Sequence, residues 1–153
     1  MELHGFVQSM IDLDGFAIEV AASLGGVTRD MLANWDRTGF LLPSVAAKRR
    51  GVARRYSFRD VVAIRVVGEL RAKGITHQAL RKVVEYLCAR TGLSPTEAIA
   101  ATNIVTDGHD LYEVNGDVSV SALRRPGQRM LLVVPLDELV TELQAKARAL
   151  RAA

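Results

Sequence analysis

Apolar and polar residues alternate in two different rhythms along this chain of 153 residues. Up to about residue 90 the apolar positions recur at helical spacings; beyond that they shorten into strand-length runs. After a turn at Asp12–Gly15, the run Phe16-Ala-Ile-Glu-Val-Ala-Ala-Ser-Leu predicts a short helix ended by Gly25-Gly26. Ala22 and, four residues on, Gly26 are small enough to let a second helix cross closely. Thr28 is a suitable N-cap for that second helix, with Arg29 and Asp30 in its first turn. Leu32 and Trp35, three apart and with Met31 beside them, face a core, which puts Arg29, Ala33, Asn34 and Arg37 on the outer side. Gly39 is the expected C-cap, and Phe40-Leu41-Leu42-Pro43 carries the chain back across the core.

Ser57-Phe-Arg-Asp60 has the form of a capping box and opens a longer helix with a wide apolar face of Phe58, Val61, Val62, Ile64, Val66, Val67 and Leu70. Lys73-Gly74 ends it. Thr76 caps the next helix, with Ile75 placed to staple onto Leu80, and Leu80, Val83, Val84, Leu87 and Cys88 follow as its apolar stripe. His77 is expected to be exposed and without a partner. Ser94-Pro-Thr-Glu97 caps one further short helix, ending near Thr102.

Strands are then predicted at Asn103–Thr106, Asp110–Val114 and Met130–Val134, with turns at Asp107-Gly108 and Asn115-Gly116, a short helix over Val118–Arg125 and a break at Pro126-Gly127. The last helix, Leu136 to about Arg151, spaces Leu136, Val140, Leu143, Ala147 and Leu150 as a heptad seam, suited to a sheet of its own chain or to a second copy. The predicted fold class is mostly α with small β. Residues 1–90 would form an N-terminal winged helix-turn-helix, and residues 91–153 a small α+β domain for dimerisation or partner binding. Provided the helical half folds alone, a chain ending near Arg90 is then expected to keep affinity for a DNA half-site and to bind a full operator less tightly.

Charge sharpens that division. Of a net +3, residues 1–92 carry +5 and residues 93–153 carry −2. Five cations, Lys48, Arg49, Arg50, Arg54 and Arg55, lie within eight residues around Gly51. A basic ribbon between two helices is the wing of such a fold, and arginine forks suit phosphate oxygens. A solvated face and a basic loop kept for solubility are the plain alternatives; the order of the elements favours the wing. Double-stranded DNA is therefore the expected partner, met by Thr28, Arg29, Asn34, Arg37, Lys48, Arg49, Arg50, Arg54, Arg55 and Tyr56.

Chemistry of other kinds finds little support. The three histidines are scattered and the single cysteine, Cys88, permits neither an intrachain disulfide nor a multi-thiolate metal site. Asp107, His109 and Asp110 read as turn chemistry. No enzyme activity, cofactor or metal is expected. The acidic N-terminus lacks the features of a signal peptide and no apolar run is of membrane-spanning length, so the cytoplasm is the expected compartment.

Val27 to Leu42, with Leu32, Trp35, Asp36, Gly39 and Leu41-Leu42, resembles the signature of MerR-family transcription regulators, and Arg54-Arg-Tyr-Ser57, the Asp60 helix and Leu70-Arg-Ala-Lys-Gly-Ile75 continue it in order. The resemblance covers about residues 14–90. It implies a homodimer that binds a pseudo-palindromic operator. Where the family usually has Leu-Arg-Tyr-Tyr-Glu, this chain has Leu32-Ala33-Asn34-Trp35-Asp36, closer to excisionase-type relatives. Phosphate binding would then shift onto Arg29, Arg37 and the wing. The region behind it loosely resembles the small domain of some actinobacterial regulators and antitoxin-like proteins. That leaves an antitoxin-type module, repressing its own operon and binding a toxin through residues 103–153, as the alternative reading, and an architectural DNA binder as a third.

Overall fold

The computed structural model describes residues 15–47, 49–101, 103–106, 111–114, 132–133 and 136–152. The readings of residues 1–14, Lys48, the Asp107-Gly108 and Asn115-Gly116 turns, the Val118–Arg125 helix and the Pro126-Gly127 break lie outside them. The described chain is mostly helical.

Helix α1 (Ile18–Gly25) and helix α2 (Arg29–Thr38) form the helix-turn-helix. Phe16, expected in the first turn of α1, stands before it: its backbone pairs with Tyr56, N–H to carbonyl at 2.7 Å one way and 2.8 Å the other. Gly26 closes α1 with a left-handed φ of 71° that favours glycine. The close approach foreseen between Gly26 and the second helix is found instead between Gly25 and the long helix, where a Cβ built on Gly25 would collide with Cγ2 of Ile64. The Thr28 hydroxyl accepts from Met31 N at 3.1 Å and caps α2, which ends at Gly39 (φ 77°).

Helix α3 (Phe58–Ala72) is the hub. Its capping box is complete in both directions between Ser57 and Asp60. The apolar positions named from the sequence are all buried, and with Ala63 they surround much of the helix instead of one face. Its neighbours explain why. Helix α1 and the turn after it press on one side, helix α5 (Pro95–Ala101) on another, and helix α6 (Leu136–Ala152) on a third. Helix α4 (His77–Thr91) is capped by Thr76, whose hydroxyl accepts from Ala79 N at 3.1 Å, and it buries Leu80, Val84 and Leu87. Cys88 is half-buried and burial pushes its thiol up in pKa, the state of a packing residue.

Strands β1 (Asn103–Thr106), β2 (Leu111–Val114) and β3 (Leu132–Val133) make an antiparallel sheet in the order β2-β1-β3. The seam predicted on α6 turns by part of a helical step. Leu139, Leu143 and Ala147, four apart, are the buried positions; Leu136 and Val140 flank them, and Leu150 is 50% exposed. These residues join the same core as Leu32, Trp35 and Val61. Arg65 of α3 reaches Glu142 of α6 at 3.5 Å, and the Arg151 guanidinium donates to the Gly15 carbonyl at 3.1 Å. The apolar positions Leu80, Val84 and Leu87 of α4 and Leu139, Leu143 and Ala147 of α6 are thus spent inside one chain.

Candidate nucleic-acid interface

Helix α2 sorts its residues as its sequence requires. Leu32 and Trp35 are buried; Thr28, Arg29, Ala33, Asn34 and Arg37 are exposed. Two of the exposed side chains are already oriented. Arg29 Nε donates to Glu19 Oε1 of α1 at 3.2 Å. The backbone amide at Glu19 first, then the hydrogen bond from Arg29, hold that carboxyl below the usual carboxylate range. Arg37 Nη2 donates to Asn34 Oδ1 at 2.6 Å, so the two act as one polar unit and the Asn34 amide nitrogen stays available as a donor.

The wing is narrower than a two-stranded ribbon. One antiparallel bridge, Val45 with Arg55 (N–H to carbonyl 2.9 and 3.0 Å), closes it, and a turn from the Arg49 carbonyl to Val52 N at 3.3 Å forms its tip around Gly51. Gly51 has φ 83°, a left-handed angle that the tip needs and other residues resist. Arg49, Arg50 and Arg54 are exposed. Lys48 lies outside the described residues.

Arg55 and Tyr56 point elsewhere. Residues in extended backbone alternate sides, so with Arg54 outward Arg55 turns inward. It is half-buried, its Nη2 donates to the Gly15 carbonyl at 3.3 Å, and its Nε is buried without a hydrogen-bond partner. Tyr56 is 2% exposed in the core. Burial first, then the nearby Asp36 and Asp60 carboxylates, push its hydroxyl up to about 12. Neither placement suits a phosphate contact, and both residues fasten the base of the wing.

That base has a second anchor which the sequence pattern does not reveal. Asp60 Oδ2 accepts from Ser57 N at 2.8 Å within the capping box, and also from Ser44 N at 2.9 Å and Ser44 Oγ at 2.6 Å. One buried carboxylate therefore ties the entry of the wing to the start of α3. The capping half was legible from Ser57-x-x-Asp60; the reach to Ser44, sixteen residues back, had no local signal. The end of α2 (Gly39, Phe40) and the wing's base (Val45, Arg54) border one cavity of about 540 Å³, so the outer helix and the wing are neighbours in space.

Residues 16–87 match the MerR HTH family regulatory protein profile. They form a helix-turn-helix domain of the MerR family. Curated relatives agree. Over 118 residues the chain is 30% identical to uncharacterized HTH-type transcriptional regulators of Mycobacterium bovis and Mycobacterium tuberculosis, covering 76% of this chain and 51% of theirs. Over 75 residues it is 35% identical to a putative heat shock protein HspR of Streptomyces coelicolor, covering 48% of each. The chain thus spans about half the length of the curated relatives it matches. No solved structure matches it. Among the described residues no group of acidic, histidine and cysteine side chains could hold a metal, and no helix is long and apolar enough to cross a membrane.

Proposed function

We propose that this MerR-type chain is a sequence-specific, double-stranded-DNA-binding transcriptional regulator. Helix α2 enters a major groove and the wing clasps the adjoining phosphates. The observation that carries this is the exposed row Arg29, Asn34 and Arg37 on a helix whose opposite side is locked by Leu32 and Trp35, next to a basic tip of Arg49, Arg50 and Arg54. Arg29, exposed in the first turn of α2 with its Nε on Glu19, is the base reader and suits a guanine edge. Thr28 and Arg37 position the helix on the backbone.

A ten-residue helix reads few base pairs, so two copies on a pseudo-palindrome, about one helical turn apart, supply the missing specificity. The dimer contact has to come from residues other than the apolar positions that α4 and α6 bury inside one chain. Titration of a labelled operator, found by genome-wide binding of the tagged protein, tests the reading and gives the stoichiometry. Two chains should bind per operator, and Arg29→Ala should cost about 1–3 kcal/mol on the operator while leaving random DNA unaffected. An equal loss on both DNAs would remove Arg29 as a base reader; one chain per site would remove the dimer.

A further inference from the structure

Arg81 of α4 is bound to the end of α2 in a way that DNA contact does not require. Its Nη2 donates to the carbonyl of Thr38, the last residue of α2, at 3.4 Å. Its Nε donates to His77 Nε2 at 3.1 Å. Its guanidinium carbon stands 5.8 Å from the Phe40 ring centroid. Phe40 meets His77 edge-on at 4.9 Å and Trp35 at 5.8 Å, so the cluster runs without a break from α4 into the buried side of α2. His77, read from the sequence as a residue without a partner, is half-buried here.

The final carbonyls of a helix have no partner within it, and the negative end of the helix dipole favours a cation beside them. Arg81 meets both demands, and its planar fork fixes direction as well as distance. We propose that Arg81 is a positioning residue for DNA recognition, holding the exit of α2, through Thr38 and Phe40, at the tilt that lets Arg29 meet a base edge, with neutral His77 as the acceptor that aims it. This rests on the reading of α2 as the recognition helix.

The acceptor role demands that His77 be unprotonated, because both nitrogens of an imidazolium are donors. The charged groups facing it are Arg81 on its own helix, Arg71 from α3 and Asp30 from α2, the last two lining the same cleft as Trp35 and His77. Burial foremost, then Arg81 and Arg71, hold His77 below its ordinary 6.5. The neutral form is therefore the resident one above that value, and the cap is lost only as pH falls through the depressed pKa. A histidine that touched phosphate would act with the opposite sign, gaining charge and affinity as pH falls.

Operator and random-DNA titrations of full-length Arg81→Gln, Arg81→Lys and His77→Gln, with circular dichroism to verify folding, test the proposal. Arg81→Lys keeps the charge but cannot reach Thr38 and His77 in one plane. Both Arg81 variants should lose operator affinity by about tenfold, the scale of one base contact, with random DNA little changed. His77→Gln offers an amide oxygen to Arg81; it should keep operator affinity near neutral pH. It should also abolish the loss that the unmodified chain suffers as pH falls below 6.5 through the depressed pKa of His77. Full rescue by Arg81→Lys, or operator affinity rising on acidification through His77, would make these residues phosphate contacts and overturn the proposal. Equal operator preference in the Arg81 variants and the parent would do the same. If the parent chain itself has no operator preference, the reading of α2 fails first, and that result is distinct from the others.

Discussion

Ending the chain after Arg90 is expected to unfold the helix-turn-helix half instead of releasing it as a working reader. The truncation removes Ala98, Ile99, Leu139, Leu143 and Ala147, each at most 5% exposed, and the last four belong to the cluster that holds Leu32, Trp35 and Val61. Leu143→Ala alone should cost about 2–5 kcal/mol, because α1 and α3, which pack on α6, cannot fully close on the vacancy. A domain has only about 5–15 kcal/mol in total, so losing every contribution of α5 and α6 exceeds what the remaining helices can bear. Denaturant unfolding followed by circular dichroism measures both. Truncated chain with the helical content and midpoint of the full chain would show that α1 to α4 stand alone, as the sequence division at residue 90 led one to expect.

Asp60→Ala is the point substitution expected to do most damage to the wing. Asp60 is 3% exposed and one of its oxygens accepts from three donors. Alanine would strand the Ser44 and Ser57 amides, and hydrogen bonds to a buried charged group are worth about 1.5–3 kcal/mol each before non-additivity. A loss of about 3 kcal/mol or more follows. Asp60→Asn keeps an oxygen acceptor and should lose less. Thermal unfolding gives the stability, and amide exchange at Val45 and Arg55, the bridge that closes the wing, gives the local effect. Exchange there that stays as slow as in the parent chain would mean that the wing does not depend on Asp60.

What could be read from the sequence was set by local rules. Thr28, Ser57 and Thr76 cap helices because a short hydroxyl side chain can turn back onto the backbone two or three residues on, and all three do so. Gly26 and Gly39 end helices for an equally local reason. Longer-range relations were out of reach. Periodicity placed an apolar seam on α6 but could not say that α3 would receive it, so Leu139 was passed over and Leu150 included. Tyr56 beside two arginines looked like a backbone contact until its pairing with Phe16, forty residues away in the chain, placed it in the core. His77 lacked a partner only because Phe40 and Arg81 come together through folding. At the site, the exposed row on α2 and the basic tip followed from helical spacing and charge, whereas Glu19, Asp60 and Arg81, which orient them, did not.

The central claim is that the exposed arginines of the wing hold phosphates while α2 selects the sequence. The salt dependence of operator binding tests it most directly, comparing the full chain with its Arg49→Gln, Arg50→Gln, Arg54→Gln variant. Each neutralised phosphate contributes about 0.9 to the slope of log affinity against log salt, so the variant's slope should be shallower by about 3 per chain. Its affinity for operator and for random DNA should fall together. A variant that is folded and retains the parent's salt slope would place the phosphate contacts elsewhere and contradict the account.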